Sequence, residues 1–233
     1  PSSSFILLAN QQPFCLVDLG FGVTHQVLQQ FKAFPPQLII THNHSDHAGE
    51  LPVVARVELA HGRKLQVFAE QEIAERLKRH RLAEHADQLS PEEIIDWITP
   101  SIAKRTSLAH GLEISFYPGK HSEKSCGFIL YQADRPIFSY SADSQLDEAF
   151  YKILNQAETF IMDARPTSNA WHADFAQIKP WLQKHRYILG HGINPKNRTD
   201  TGYAGLPLLF SGDRLSLNPA SFQSNKPPSA ERL

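Results

Sequence analysis

Leu38-Ile39-Ile40-Thr41-His42-Asn43-His44-Ser45-Asp46-His47-Ala48-Gly49 is the stretch from which the fold is read. It opens as an apolar, largely β-branched run, which predicts a buried strand. Three histidines and a carboxylate follow within six residues, where the strand gives way to a loop. Side chains at i and i+2 of an extended backbone share a face, so His42 and His44 aim at one point. If the turn tightens into a helix, Asp46 and His47 aim at a second point nearby. Imidazole nitrogens and carboxylate oxygens suit zinc, and also manganese or iron. A solvated histidine-rich loop is the other reading, but spacing and strand-to-loop context both favour a ligand set.

His42-x-His44-x-Asp46-His47 after an apolar strand resembles the signature of the metallo-β-lactamase superfamily. The resemblance implies an α/β protein, an αββα sandwich, with a one- or two-metal hydrolytic site along one edge.

The composition is that of an ordinary globular protein. Of 233 residues, 41% are hydrophobic and 20% charged, and the formal net charge is -1. That balance argues against a broad basic surface for long nucleic acids. There is no apolar run long enough for a membrane span and no basic-then-apolar leader. Cys15 and Cys126 lie in apolar surroundings and read as free buried thiols, so a reducing cytoplasm is the simplest compartment. One domain is expected over 1–233, with a loose Ser- and Pro-rich tail from about 218.

Strands and helices alternate, which predicts an α/β architecture. Phe5–Leu8 and Phe14–Asp18 read as a hairpin, and Thr24–Lys32 as a helix. Helices are expected over Glu50–Ala60, Glu70–His85, from Ser90 through Trp97, over Asp147–Leu154 and over His172–Lys184. Ser90-x-x-Glu93 reads as a capping box, and Pro180 should bend or split the last of these helices. Further strands are expected at Leu65–Phe68, Ile114–Pro118, Phe128–Tyr131, Pro136–Tyr140, Thr159–Asp163 and Tyr187–His191, with a final one at Arg214–Leu217.

His121, Asp143 and His191 each stand at or just past the end of an apolar strand, where open α/β sheets place functional groups. Each could simply terminate its strand. Their order, with Ser125-Cys126-Gly127-Phe128 and Ala142-Asp143-Ser144, resembles the branch that holds RNase Z and small phosphodiesterases. Two departures are Ala142, where that branch usually has Gly, and Gly190, where it usually has Thr. The resemblance implies two divalent metals, zinc first and Mn2+ or Fe2+ as alternatives. His42, His44 and His121 would hold one, Asp46, His47 and His191 the other, and Asp143 would bridge them. A hydroxide held between the metals would be the nucleophile, with Asp46 orienting it. His172, in Trp171-His172-Ala173-Asp174-Phe175, resembles the branch's proton donor and is the expected general acid; helix capping is its other reading. Lys120, Arg165 and the Lys196-Asn197-Arg198 run are candidate phosphate contacts. His25, His61, His80, His85, His110 and His185 read as surface or packing residues.

The expected substrate is a small phosphodiester, cyclic nucleotides being one class. Thioesters or lactones, and RNase Z-type RNA processing, are the alternatives. No protruding Gly/Pro-rich arm is legible between Ala60 and His110, which weighs against transfer RNA. A non-catalytic binding protein on this fold is the reading from another class. The resemblance also implies a homodimer, and the lack of a long apolar run predicts no membrane partner.

Overall fold

A computed structural model describes residues 3–167, 169–193, 203 and 205–217. The strands are β1 (Phe5–Ala9), β2 (Gln12–Val17), β3 (Gln37–Ile39), β4 (Leu65–Phe68), β5 (Ile95–Ile98), β6 (Thr106–Ser107), β7 (Leu112–Pro118), β8 (Cys126–Gln132), β9 (Arg135–Tyr140), β10 (Thr159–Ala164), β11 (Arg186–Gly190) and β12 (Leu208–Leu209). The helices are α1 (Val23–Phe31), α2 (Ser45–Ala48), α3 (Leu51–Ala60), α4 (Gln71–His80), α5 (Pro91–Ile94), α6 (Glu148–Leu154) and α7 (Phe175–Ile178).

The strands form two sheets, ordered β1-β2-β3-β4-β5 and β12-β11-β10-β9-β8-β7-β6. Period-two alternation explains how they pack. Along β8, Phe128 and Leu130 join the core shared with the first sheet, while Ile129 and Tyr131 join the core beneath α6 and α7. β10 repeats the pattern, with Ile161 facing the first core and Phe160 and Met162 the second. The second sheet is therefore covered on both faces, which is why its central strands read as continuous apolar runs. The result is the expected αββα sandwich.

Topology places the functional residues. β2, β3, β4 and β5 run parallel, as do β9, β10 and β11. β7 and β9 are each antiparallel to β8, so β7 exits at the same edge as β9. The Cys126 N–H donates to the Thr41 carbonyl at 3.0 Å, and His42 bridges to Ser125. These bonds tie the two sheets together where both sets of strands end.

Several sequence expectations are corrected. The Ser90 capping box is present, but its helix stops at Ile94 and Ile95–Ile98 is β5, paired with β4. Tertiary pairing overrides the local helical signal there. The helix expected over His172–Lys184 is only α7 followed by a 3-10 turn at Lys179–Trp181, split as Pro180 foretold. Arg214–Leu217 forms no strand; the edge of the second sheet is β12, at Leu208–Leu209. The tail from about 218 lies outside the described residues.

Both departures from the family pattern have a physical account. Ala142 is fully buried at φ 51°, a left-handed conformation that costs a non-glycine residue about 1 kcal/mol. A Cβ at Gly190 would lie 1.9 Å from Ile193 Cδ1, so the buried Ile193 side chain takes the space a threonine would need. Among the described residues, no helix is long and apolar enough to cross a membrane.

Candidate metal centre

His42 follows β3, and its Nδ1 lies 3.1 Å from Thr41 Oγ1. His44 keeps an extended backbone and caps α2, whose single turn brings His47 back beside His42 with ring centroids 4.1 Å apart. From the second sheet, His121 arrives after β7, Asp143 after β9 and His191 after β11. All seven residues expected as ligands thus come to one edge.

Asp143 is the hub. Its Oδ1 lies 3.4 Å from His47 Nε2 and 3.6 Å from His191 Nδ1. Its Oδ2 lies 3.9 Å from each of His42 Nε2, His121 Nε2 and His172 Nδ1. His44 Nδ1 stands 3.1 Å from His121 Nε2. Asp46 Oδ2 lies 3.5 Å from His191 Nε2 and 3.8 Å from His47 Nε2. Separations of 3.4–3.9 Å exceed ordinary hydrogen bonds. They suit donors gathered around cations about 2.0–2.2 Å from each nitrogen or oxygen.

The unpaired atoms support that fit. His42 Nε2, His47 Nε2, Asp143 Oδ1, Asp163 Oδ1 and His191 Nδ1 are buried with no hydrogen-bond partner. A buried polar atom without a partner costs roughly 1–3 kcal/mol, so five in one place mark a ligand-holding site. Three groupings have donors close enough for one ion: His42, His44 and His121; His42, His47 and Asp143; and Asp143, Asp163, His172 and His191. The donor set is nitrogen and oxygen only, which suits a divalent metal such as zinc, manganese or iron. Cys15 and Cys126 are buried elsewhere in the core, and burial pushes the Cys126 thiol up to about 12.

Electrostatics points the same way. Burial lowers the basicity of His191, but Asp143, Asp163 and Asp46 outweigh it and push the imidazole up to about 12. Burial likewise opposes the charge on His47, yet Asp143 and Asp18 raise it well above the usual range. Asp46 is held well below the usual carboxylate range, first by the His191 imidazole beside it. A cation among the same atoms would take over this charge compensation and expel the protons.

Two carboxylates escaped the sequence reading. Asp18, just past β2, accepts from the Thr41 N–H and Thr41 Oγ1, each at 2.8 Å. Its Oδ2 also accepts from His47 Nδ1 at 2.8 Å, which directs His47 Nε2 into the centre. Asp163, on β10, holds His172 Nδ1 at 2.8 Å and places its other oxygen 3.4 Å from His191 Nδ1. Both sit at the exit of an apolar strand, the same signal that singled out His121 and Asp143.

His172 is not a cap. Asp174 caps α7, accepting from the Gln177 N–H at 2.7 Å, whereas the His172 ring is buried against Asp163. Lys120 Nζ pairs with Asp147 at 2.7 Å, so its charge is already compensated. Arg165 lies two residues past Asp163, and its Nε is buried without a partner. Lys196 and Arg198 lie outside the described residues.

Arg81 clamps the metal-binding loop from outside. Its Nε donates to Asn43 Oδ1 at 2.8 Å, its Nη1 to Ser45 Oγ at 3.2 Å and its Nη2 to the Asn43 carbonyl. The Arg81→Ala variant is expected to weaken metal binding by ~10–100-fold, the usual cost of losing an outer support. Competition with a chromophoric chelator measures this, and unchanged affinity would show that the loop holds its shape unaided.

Comparisons agree with the fold. The metallo-β-lactamase fold protein YhfI from Bacillus subtilis superposes with a TM-score of 0.68 at 15% identity, over 90% of this chain and 89% of that one. The human short-form tRNase Z, ELAC1, gives 0.66 at 16% identity, over 93% of each chain. A diphosphatase of the PhnP family gives 0.64 at 16% identity, over 91% of this chain and 83% of that one. The comparison with curated proteins returns no match. A family model described as the anti-Pycsar protein Apyc1 matches residues 2–198 of the 233, and the chain accordingly belongs to that family.

Proposed function

We propose that the protein is a metal-dependent hydrolase of small phosphodiesters, with cyclic nucleotides the favoured class. The observation that carries this is Asp143, a single carboxylate within 4 Å of five imidazoles, with one oxygen facing each side. His42, His44 and His121 would hold a metal on the Oδ2 side, and His47, His191 and Asp46 a second on the Oδ1 side. Divalent metals bound there acidify water and polarise a phosphoryl oxygen.

The protein's own residues supply the rest. Asp163 fixes the His172 ring with Nδ1 as donor, leaving Nε2 to hand a proton to the departing oxygen. Asp46 is held ionised and can accept a hydrogen bond from attacking water. Arg165, with an unpaired buried Nε, suits a phosphoryl oxygen. Membership of the anti-Pycsar family and fold neighbours that include a diphosphatase and a tRNase Z support phosphoester chemistry over thioester or lactone hydrolysis.

The test uses protein loaded separately with zinc, manganese or iron. Turnover is measured on bis-p-nitrophenyl phosphate, a panel of 3′,5′-cyclic nucleotides, a thioester and nitrocefin. Phosphodiesters alone should be hydrolysed. Metal-loaded protein that leaves every phosphodiester intact would refute the reading.

A further inference from the structure

We propose that Trp171 is the platform on which the nucleobase of the substrate stacks, an inference that rests on the phosphodiesterase reading above. Its side chain is 48% exposed and belongs to neither apolar core. It lines an open cleft of about 570 Å³ together with His121, Lys120 and Gln145.

The backbone that carries the indole is held in register with the proposed reaction centre. The Trp171 backbone N–H donates to Asn169 Oδ1 at 2.8 Å, and the Trp171 carbonyl faces His121 Nδ1 at 3.0 Å. Gln145 Nε2 donates to the carbonyl of Ala170. The next residue is His172, whose N–H shares Asn169 Oδ1 at 2.9 Å and whose ring is fixed by Asp163. A phosphodiester beside His121 and His172 therefore has its substituent next to an aromatic side chain carried on an anchored backbone.

The charges in the cleft say what that substituent is. Lys120 pairs with Asp147 at 2.7 Å, Arg76 with Glu72 at 3.0 Å and Glu123 at 3.5 Å, and Lys124 with Glu72 at 3.4 Å. The cations are already compensated, so the cleft is poorly suited to the next phosphate of an RNA strand. It suits an uncharged aromatic group, with paired polar side chains around it offering donors and acceptors. Indole faces bind bases of any sequence by stacking.

Two measurements on the full metal-loaded chain decide the matter. In the first, kcat and KM are compared for a 3′,5′-cyclic nucleotide and for the same cyclic sugar phosphate lacking its base. Trp171→Ala should raise KM for the nucleotide by ~10-fold or more, leave KM for the base-free compound unchanged, and leave kcat within about twofold for both. Trp171→Phe should restore most of the loss. In the second, tryptophan emission is followed during titration with a nucleoside 5′-monophosphate. Quenching should occur in the wild type and vanish in Trp171→Phe, in which Trp97 and Trp181 remain. Equal KM values in wild type and Trp171→Ala, or quenching that persists in Trp171→Phe, would overturn the assignment. A wild type that cleaves no phosphodiester would instead bring down the functional reading, and this inference with it.

Discussion

Replacing Asp143 by Asn is expected to lower phosphodiester turnover by about a thousandfold or more, because it removes charge stabilisation worth several kcal/mol at the proposed metals. Bound metal should fall with it. The reason is geometric and electrostatic together. Asp143 is almost fully buried, and its two oxygens face different imidazoles on the two sides of the centre. Two cations in one buried pocket repel each other unless an anion lies between them. An amide has nearly the same shape and no charge. It can also offer only one oxygen, so one side would meet an N–H2 group. Turnover of bis-p-nitrophenyl phosphate and metal content after dialysis against metal-free buffer measure both effects. A variant that keeps its metal and loses less than about tenfold in rate would show that Asp143 does not bridge.

The second large effect separates proton delivery from metal binding. His172→Ala should reduce turnover of a cyclic nucleotide by ~10²–10⁴-fold, the usual worth of a positioned general acid, while metal content stays at the wild-type level. The loss should be much smaller for a p-nitrophenyl ester, whose leaving group departs without a proton. Asp163→Asn should lower the same rate, because an amide can turn its N–H2 toward the ring and no longer fixes Nδ1 as the donor. His172 also lies within the grouping of Asp143, Asp163 and His191 that could hold an ion. Parallel loss of metal and rate in His172→Ala would make it a ligand instead.

Much of this centre was legible before any fold was known. His42, His44, Asp46 and His47 announce themselves because their partners are neighbours in the chain. Spacing alone decides which way such side chains point once the strand and the turn are read. His121, Asp143 and His191 were legible as polar residues closing apolar strands. The sandwich followed from the alternation of strands and helices together with the family resemblance. The capping box at Ser90 and the break at Pro180 were equally local, and both are present.

Tertiary structure decided the remainder. Asp18 reaches Thr41 and His47 across 23 and 29 positions of sequence, and Asp163 meets His172 and His191 only because β10 lies between β9 and β11. Ile95–Ile98 carries a helical signal from its cap but becomes a strand because β4 offers a row of unpaired backbone groups. Arg81 and Trp171 gave no sign in their own surroundings. One is a cation among other cations, the other an aromatic residue before a histidine. Local chemistry names the candidate ligands, since coordination depends on residue type and short spacing. Orientation, charge compensation and substrate contact depend on groups that meet only when two sheets end at one edge.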